Sequence, residues 1–207
     1  MEIGLKATKL IVSFLVFSGL LMATTDPCVA TVIEGDTSIV IAWYNPEPPL
    51  ENMVGHKVYF AQTIEGEREY LGFVSISDGG YYEHTPIDPS VSPYYYWVRI
   101  LYDDGSLGDF SNVISTIHLT TESIENAIIL SWNPPSGQVI EGYTISRGST
   151  SPPVDLTPIA FITDRTVAYY DYTAEPGTLY YYNVAAELPE ICGEVLDRAV
   201  TGYYSKS

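Results

Sequence analysis

The strongest constraint in this chain is that it says nearly the same thing twice. Ile39-Val40-Ile41-Ala42-Trp43-Tyr44-Asn45-Pro46 recurs as Ile128-Ile129-Leu130-Ser131-Trp132-Asn133-Pro134-Pro135. After each Trp comes a Gly that opens an alternating run, Gly55 to Phe60 and then Gly142 to Arg147. Next come Tyr81-Tyr82-Glu83-His84 and Tyr169-Tyr170-Asp171-Tyr172, and last Tyr94 to Ile100 and Tyr180 to Ala186. Matches in the same order at similar spacing mean two copies of one supersecondary unit. Each run is short, β-branched or aromatic, and bounded by Pro, Gly, Asp or Ser, which is the sequence form of antiparallel strands. Beyond the first 23 residues no stretch sustains a 3.6-residue apolar period, so helices are expected to be few. Blocks of this length, built from short strands, bury one face only by stacking two sheets.

These residues resemble fibronectin type III domains, especially those of bacterial secreted proteins. The resemblance rests on Trp43 and Trp132, on the Gly-Tyr-x-Ile-x-Arg run at Gly142 to Arg147, on the Pro-Gly-Thr-x-Tyr corner and following strand at Pro176 to Ala186, and on Gly108 to Ile114. It implies an all-β fold of two tandem immunoglobulin-like, seven-stranded β-sandwiches after an N-terminal signal helix, with sandwiches over residues 24–117 and 118–207. Within it, Trp43 and Trp132 are expected to plug the cores. Tyr94 and Tyr180 are expected to act as tyrosine corners, their hydroxyls bonding back to the backbone. Alternation puts Tyr94, Tyr96, Val98 and Ile100 on one face, and Tyr180, Tyr182, Val184 and Ala186 on one face of the second copy. The junction, Asn112 to Thr121, holds no Gly/Ser-rich linker and predicts a stiff rod. The second copy departs from the first near its end. Either Gly202-Tyr203-Tyr204-Ser205 matches Gly108-Asp109-Phe110-Ser111 and the last strand is missing, or a turn at Cys192-Gly193-Glu194 leads into a last strand over Val195 to Tyr204. An unpaired buried edge is costly, which favours the complete form.

The first segment reads as an address. Lys6 and Lys9 precede an apolar run from Leu10 to Ala23, shorter than the roughly 20 residues a spanning helix needs. It is a secretory signal, residues 1–23, with cleavage after Ala23; an uncleaved anchor is the alternative. Asp26-Pro27 before Cys28 argues against lipidation there. The expected location is secreted, extracellular or periplasmic.

Composition narrows the partners. The chain carries 26 acids against 9 bases, a net charge of −17. Phosphate backbones need clustered Lys and Arg, so nucleic acid is a poor partner, and an anionic membrane is disfavoured for the mature form. A protein or polysaccharide at the cell surface is the expected partner, with self-association as a second route. The 18 Tyr suit strands and half-wet contact surfaces. Tyr81, Tyr95, Tyr169 and Tyr181 are the candidates for such a surface.

No catalytic set is legible, and the chain is read as a non-enzyme without cofactor. His56, His84 and His118 have no neighbour at metal-ligand spacing and are expected at the surface or at edges. There is no nucleophile elbow and no phosphate loop. Asp103, Asp104 and Asp109 form the densest acidic loop. It is expected to be a type I′ hairpin turn on Asp104-Gly105, with weak calcium binding as the sharper alternative. The fold places Cys28 at the far pole of the first unit and Cys192 near the junction, beyond the ~7 Å Cα separation a disulfide allows. Two unpaired thiols, or an intermolecular link, are therefore expected. The leading functional expectation is a non-catalytic extracytoplasmic binding or adhesion module. The alternative is a structural spacer or assembly subunit of a surface complex.

Overall fold

The computed structural model describes residues 25–32, 38–137, 139–150, 155–163, 166–188 and the backbone of 204–206. The expected signal segment and Cys192 lie outside the described residues.

The chain folds as β1 (Pro27–Val32), β2 (Ile39–Trp43), β3 (Met53–Ala61), β4 (Glu69–Ser75), β5 (Tyr81–His84), β6 (Tyr95–Tyr102) and β7 (Ile114–Ser115), followed by β8 (Leu119–Ile124), β9 (Ala127–Trp132), β10 (Gly142–Gly148), β11 (Thr157–Ile162), β12 (Ala168–Asp171), β13 (Tyr181–Glu187) and β14 (Tyr204–Lys206). In the first repeat a β1-β2-β5 sheet faces a β4-β3-β6-β7 sheet; in the second, β12-β9-β8 faces β11-β10-β13-β14. All named pairings are antiparallel. Period-2 alternation builds the cores. Ile39, Ile41 and Trp43 point from β2 onto Val58, Tyr96, Val98 and Ile114. Ile128, Leu130 and Trp132 point from β9 onto Tyr143, Ile145, Tyr182 and Val184. Each fully buried aliphatic side chain contributes roughly 1.5–3 kcal/mol, so truncating Ile41 or Leu130, both 0% exposed, costs about 2–5 kcal/mol.

The glycine after each Trp has a steric cause. A Cβ on Gly55 would sit 2.2 Å from the Val74 carbonyl oxygen, and one on Gly142 would sit 2.3 Å from that of Ile162. Only glycine lets these two hairpins close.

Four expectations are corrected. First, the Tyr-Tyr runs are offset by one position. His84 pairs with Ile39 and Asp171 with Ile128, so His84 corresponds to Asp171 and Tyr82 to Tyr169. A one-residue slip exchanges the inner and outer faces, and the tyrosine doublets match almost as well either way. Second, the alternative in which the last strand of the second repeat is missing falls: β14 pairs with β13, with Tyr182 opposite Ser205 and Asn183 opposite Tyr204, while the expected turn at Cys192-Gly193-Glu194 and positions 195–203 of the expected strand lie outside the described residues. Third, the Asp104-Gly105 turn is not type I′. Gly105 has φ +83° whereas Asp104 has no positive φ. The Gly105 N–H bonds the Tyr102 carbonyl and the Tyr102 N–H bonds that of Ser106, which is a type I turn closed by a glycine bulge.

The fourth correction concerns the joint and the cysteines. Cys28 is disulfide-bonded and among the described residues no cysteine is free. The second cysteine of the sequence is Cys192. The expectation of unpaired thiols assumed a rod with Cys28 out of reach. Instead Leu188, just past β13, packs with Cys28 against Val29 and Ala42 of β1 and β2, so the second repeat reaches back over the first. The loop after β9 also lies against the strand ending the first repeat. The Ser136 N–H donates to Ser115 Oγ at 2.8 Å. A Cβ on Gly137, whose φ is +74°, would come within 1.9 Å of the Val113 carbonyl oxygen. Asn133 clamps the connecting residues: its Oδ1 accepts from the His118 N–H at 2.6 Å and its Nδ2 donates to the Thr116 carbonyl at 3.0 Å.

Candidate functional site

Three polar constellations lie in or between the sheets, and each is structural in its bonding. On β2 and β3 the Trp43 indole N–H donates to His56 Nδ1 at 3.0 Å, and His56 Nε2 contacts Thr25 Oγ1 at 2.9 Å. An indole can only donate, so Nδ1 accepts and the proton sits on Nε2. His56 is 0% exposed, and burial lowers its pKa from 6.5 to about 4. The expectation of a surface histidine fails here because alternation on β3 puts His56 on the same inner face as Val58. His84, on the edge strand β5, is half-buried: its Nδ1 meets Tyr96 Oη at 3.0 Å and its ring packs edge-on against Phe60. In the second repeat the buried Asp171 accepts from the Thr173 N–H and hydroxyl, from Tyr182 Oη at 2.8 Å and from Arg147 Nη1 at 2.7 Å. Burial pushes the Asp171 carboxyl up, but these bonds together outweigh it and leave its pKa below the ordinary value.

Asp88, Ser90 and His118 also meet, with the bonding of a turn. The Ser90 hydroxyl and N–H both donate to Asp88 Oδ1, and His118 Nε2 bonds the Ser90 carbonyl rather than its hydroxyl. A nucleophilic serine needs its base on Oγ, and here Oγ is already committed to a carboxylate.

The structure disperses the predicted site residues. Trp43, Trp132, Tyr94 and Tyr180 are all buried. Tyr94 Oη donates to the Asp88 carbonyl at 3.0 Å, and Tyr180 Oη accepts from the Glu175 N–H at 3.3 Å. Asp104 caps its own turn by accepting from the Ser106 N–H. Asp103 and Asp109 are exposed, and among the described residues no group of three or more His, Cys, Asp or Glu could hold a metal. The four surface tyrosines do not converge. Tyr81 is exposed on β5, Tyr95 and Tyr181 are half-buried on β6 and β13, and Tyr169 packs against the second core.

What does converge was not in that set. The outer face of the β4-β3-β6 sheet carries two cross-strand rows. In one, Tyr59 sits opposite Tyr70 and opposite Trp97; in the next, Lys57 sits opposite Phe73 and opposite Arg99. Arg68 lays its guanidinium over the Trp97 ring at 4.6 Å and over the Phe110 ring at 4.4 Å, and Arg99 covers Phe110 at 4.6 Å. Arg99 Nε also holds the Gly108 carbonyl at 2.7 Å. Tyr59 meets Phe110 and Tyr70 with ring centroids 5.1 and 5.6 Å apart, and Lys57 lies 5.3 Å from the Tyr70 ring. This layer explains why Trp97 is only 3% exposed although it points away from the core. Tyr70 and Phe73 remain 53% and 45% exposed. The available signal was Lys-x-Tyr on one strand beside Trp-x-Arg on another: alternation puts both pairs on an outer face, and only the sheet order brings them together.

Each repeat is a β-sandwich of two antiparallel sheets. Its sheets of three and four strands, closed by an interior Trp and a corner Tyr, have the arrangement that the resemblance implied. No family model matches the chain, and no curated protein matches it in sequence. Among solved structures it is similar to the pectate lyase Pel3 of Pectobacterium carotovorum, at 20% identity over 44% of this chain and 26% of that one, with a TM-score of 0.36. It is similar to the FN1–FN3 domains of chicken CNTN1, at 17% identity over 89% and 67% of the two chains, TM-score 0.35. The central fibronectin III array of RIM-binding protein gives 16% identity over 89% and 68%, TM-score 0.34. The chain thus spans about a quarter of the pectate lyase's length.

Proposed function

We propose that this chain is a non-catalytic, extracytoplasmic contact module that holds a protein or polysaccharide partner on the outer face of β4-β3-β6. The observation that carries this reading is the cation-and-ring layer. Large half-exposed rings at Tyr70 and Phe73 adjoin Lys57, Arg68 and Arg99, in a chain otherwise dominated by acids. Aromatic and arginine side chains are the residue types enriched at contact surfaces. The bonded state of Cys28 supports export, because disulfides persist in oxidising compartments. The test is a glycan array and a pull-down with residues 24–207. Capture that weakens in Tyr70→Ala supports the reading, and silence in both assays with a folded protein removes it.

A second reading, a spacer that fixes the relation of two surfaces, is favoured by the joint. Its hydrogen bonds through Asn133, Ser136 and His118 tie the repeats together. Small-angle scattering separates the readings, since a spacer keeps one rigid profile and binds nothing through Tyr70.

A further inference from the structure

The contact face makes a more specific demand on its partner, a demand that rests on the contact-module reading. Four Lys or Arg side chains belong to the described residues: Lys57, Arg68, Arg99 and Arg147. Arg147 is neutralised by Asp171. The other three share one sheet face, and among the described residues none has a carboxylate within ion-pair distance. This holds although Glu67 and Glu69 flank Arg68 in sequence and the whole chain has 26 acids. Unneutralised cations gathered on one surface of so acidic a molecule mark a place for an external anion.

The geometry points to a carboxylated polysaccharide, a polymer of uronic acid units, lying across β4, β3 and β6. Two features select a sugar over an acidic peptide. The rings and cations stand on the flat face of the sheet, where the main chain of β3 is bonded on both sides by β4 and β6. A ligand lying on that face meets side chains only, because main-chain donors and acceptors point within the plane of the sheet and serve extended peptides that add to an edge strand such as β4. What the flat face offers instead is ring faces beside cations. Tyr70 and Tyr59 lie in one row, and Lys57 and Arg99 lie one row away. A pyranose presents C–H groups on one face and its carboxylate at the rim, so stacking on the ring row brings the carboxylate towards the cation row. Arg68 adds the anchor. Its guanidinium carbon lies over the Trp97 and Phe110 rings, and its N–H groups, which make no hydrogen bond to the described residues, are left for a bidentate carboxylate.

The test uses residues 24–207 in biolayer interferometry on immobilised alginate, a polyuronate, with dextran and polyglutamate as comparators. The inference expects retention on alginate, none on dextran, and weakening as salt rises. Arg68→Lys keeps the charge but loses the planar fork and should weaken alginate binding by ~10-fold; Tyr70→Ala should do the same through the lost ring. Near-ultraviolet circular dichroism on each variant verifies that the fold is intact, and Tyr70, at the exposed edge, serves if Arg68→Lys disturbs Trp97. Equal or tighter binding to polyglutamate, or alginate binding indifferent to both substitutions, overturns the inference. Capture of a neutral glycan or a protein without alginate binding overturns it too while leaving the contact-module reading standing. Silence on every surface removes both.

Discussion

The two sandwiches solve one packing problem with different chemistry. At three equivalent positions the first repeat holds Phe60, His84 and Tyr96, and the second holds Arg147, Asp171 and Tyr182. In both, the strand-six tyrosine is 0% exposed and its hydroxyl bonds the residue on the edge strand, at 3.0 Å to His84 and 2.8 Å to Asp171. The first repeat completes the set with an apolar ring, the second with a guanidinium that also covers Tyr180 at 4.6 Å. The equivalence of Trp43–His56 and Trp132–Tyr143 shows a second contrast. The ring centroids are 5.1 and 5.2 Å apart, yet the Trp43 indole donates to a ring nitrogen at 3.0 Å while the buried Trp132 indole N–H, with the Tyr143 hydroxyl as its polar neighbour, makes no well-formed hydrogen bond among the described residues. The fold therefore specifies a volume at both places but a recurring hydrogen bond only at the strand-six tyrosine, and leaves open which groups supply them. A neutral set tolerates loss of one member, whereas a buried ion pair does not, because the survivor is left charged and dry.

That contrast can be broken most severely by Arg147→Phe. It leaves Asp171 buried without its cation and should cost about 3–5 kcal/mol in urea denaturation. Adding Asp171→His, which installs the first repeat's set, should recover more than half of that loss. Strict additivity of the two substitutions would sink the proposed equivalence.

Acid should separate the repeats next. Unfolded His56 takes up a proton below its ordinary pKa of 6.5, while the folded ring stays neutral until about 4. Stability of the first repeat therefore declines as pH falls through that window, by up to about 3 kcal/mol. His84, also lowered by burial, acts in the same direction. Asp171 is shifted in the same direction, but from the carboxylate range, so its window lies at lower pH. Its stabilisation is full above the ordinary carboxylate pKa and is lost only as pH falls through its lower folded value. Hydrogen exchange should thus show β2 losing protection at mildly acidic pH while β9 keeps it; simultaneous loss would contradict this.

Gly137→Ala should cost about 1–3 kcal/mol, since alanine there is strained in backbone and collides with the Val113 carbonyl. The loss should appear as faster exchange in residues 112–118, with β10 and β13 little changed. The smallest effect is expected from Tyr143→His. It offers the Trp132 indole an acceptor and should raise the second repeat's midpoint by the equivalent of about 1 kcal/mol. An unchanged midpoint would mean that the second core cannot orient the imidazole as the first does.

Much of the fold was legible because period-2 alternation and a repeated Trp are local signals. Ile39, Ile41 and Trp43 announce an inner face without reference to the rest of the chain. What was not legible depended on sheet order or on neighbours distant in sequence. The slip between Tyr81–His84 and Tyr169–Tyr172 is invisible because a Tyr-Tyr doublet matches itself nearly as well one place over. His56 was misread as a surface group because its acceptor role is set by Trp43 on the facing sheet, and no spacing rule encodes that. The contact face escaped for the same reason: Lys57, Arg68, Trp97, Arg99 and Phe110 come from four segments, and only β4-β3-β6 pairing makes them neighbours. Cys28 was misjudged because an end-to-end arrangement was assumed, and Leu188 packing beneath it shows otherwise.

The enclosure of the indoles has a practical consequence. Trp43, Trp97 and Trp132 are the chain's 3 tryptophans, and none is more than 5% exposed. Native emission should therefore be blue and resistant to collisional quenchers such as iodide. Because Arg68 roofs Trp97 alone, displacement of that guanidinium would open one indole of the three to the quencher, giving an optical report of the cationic face that requires no label.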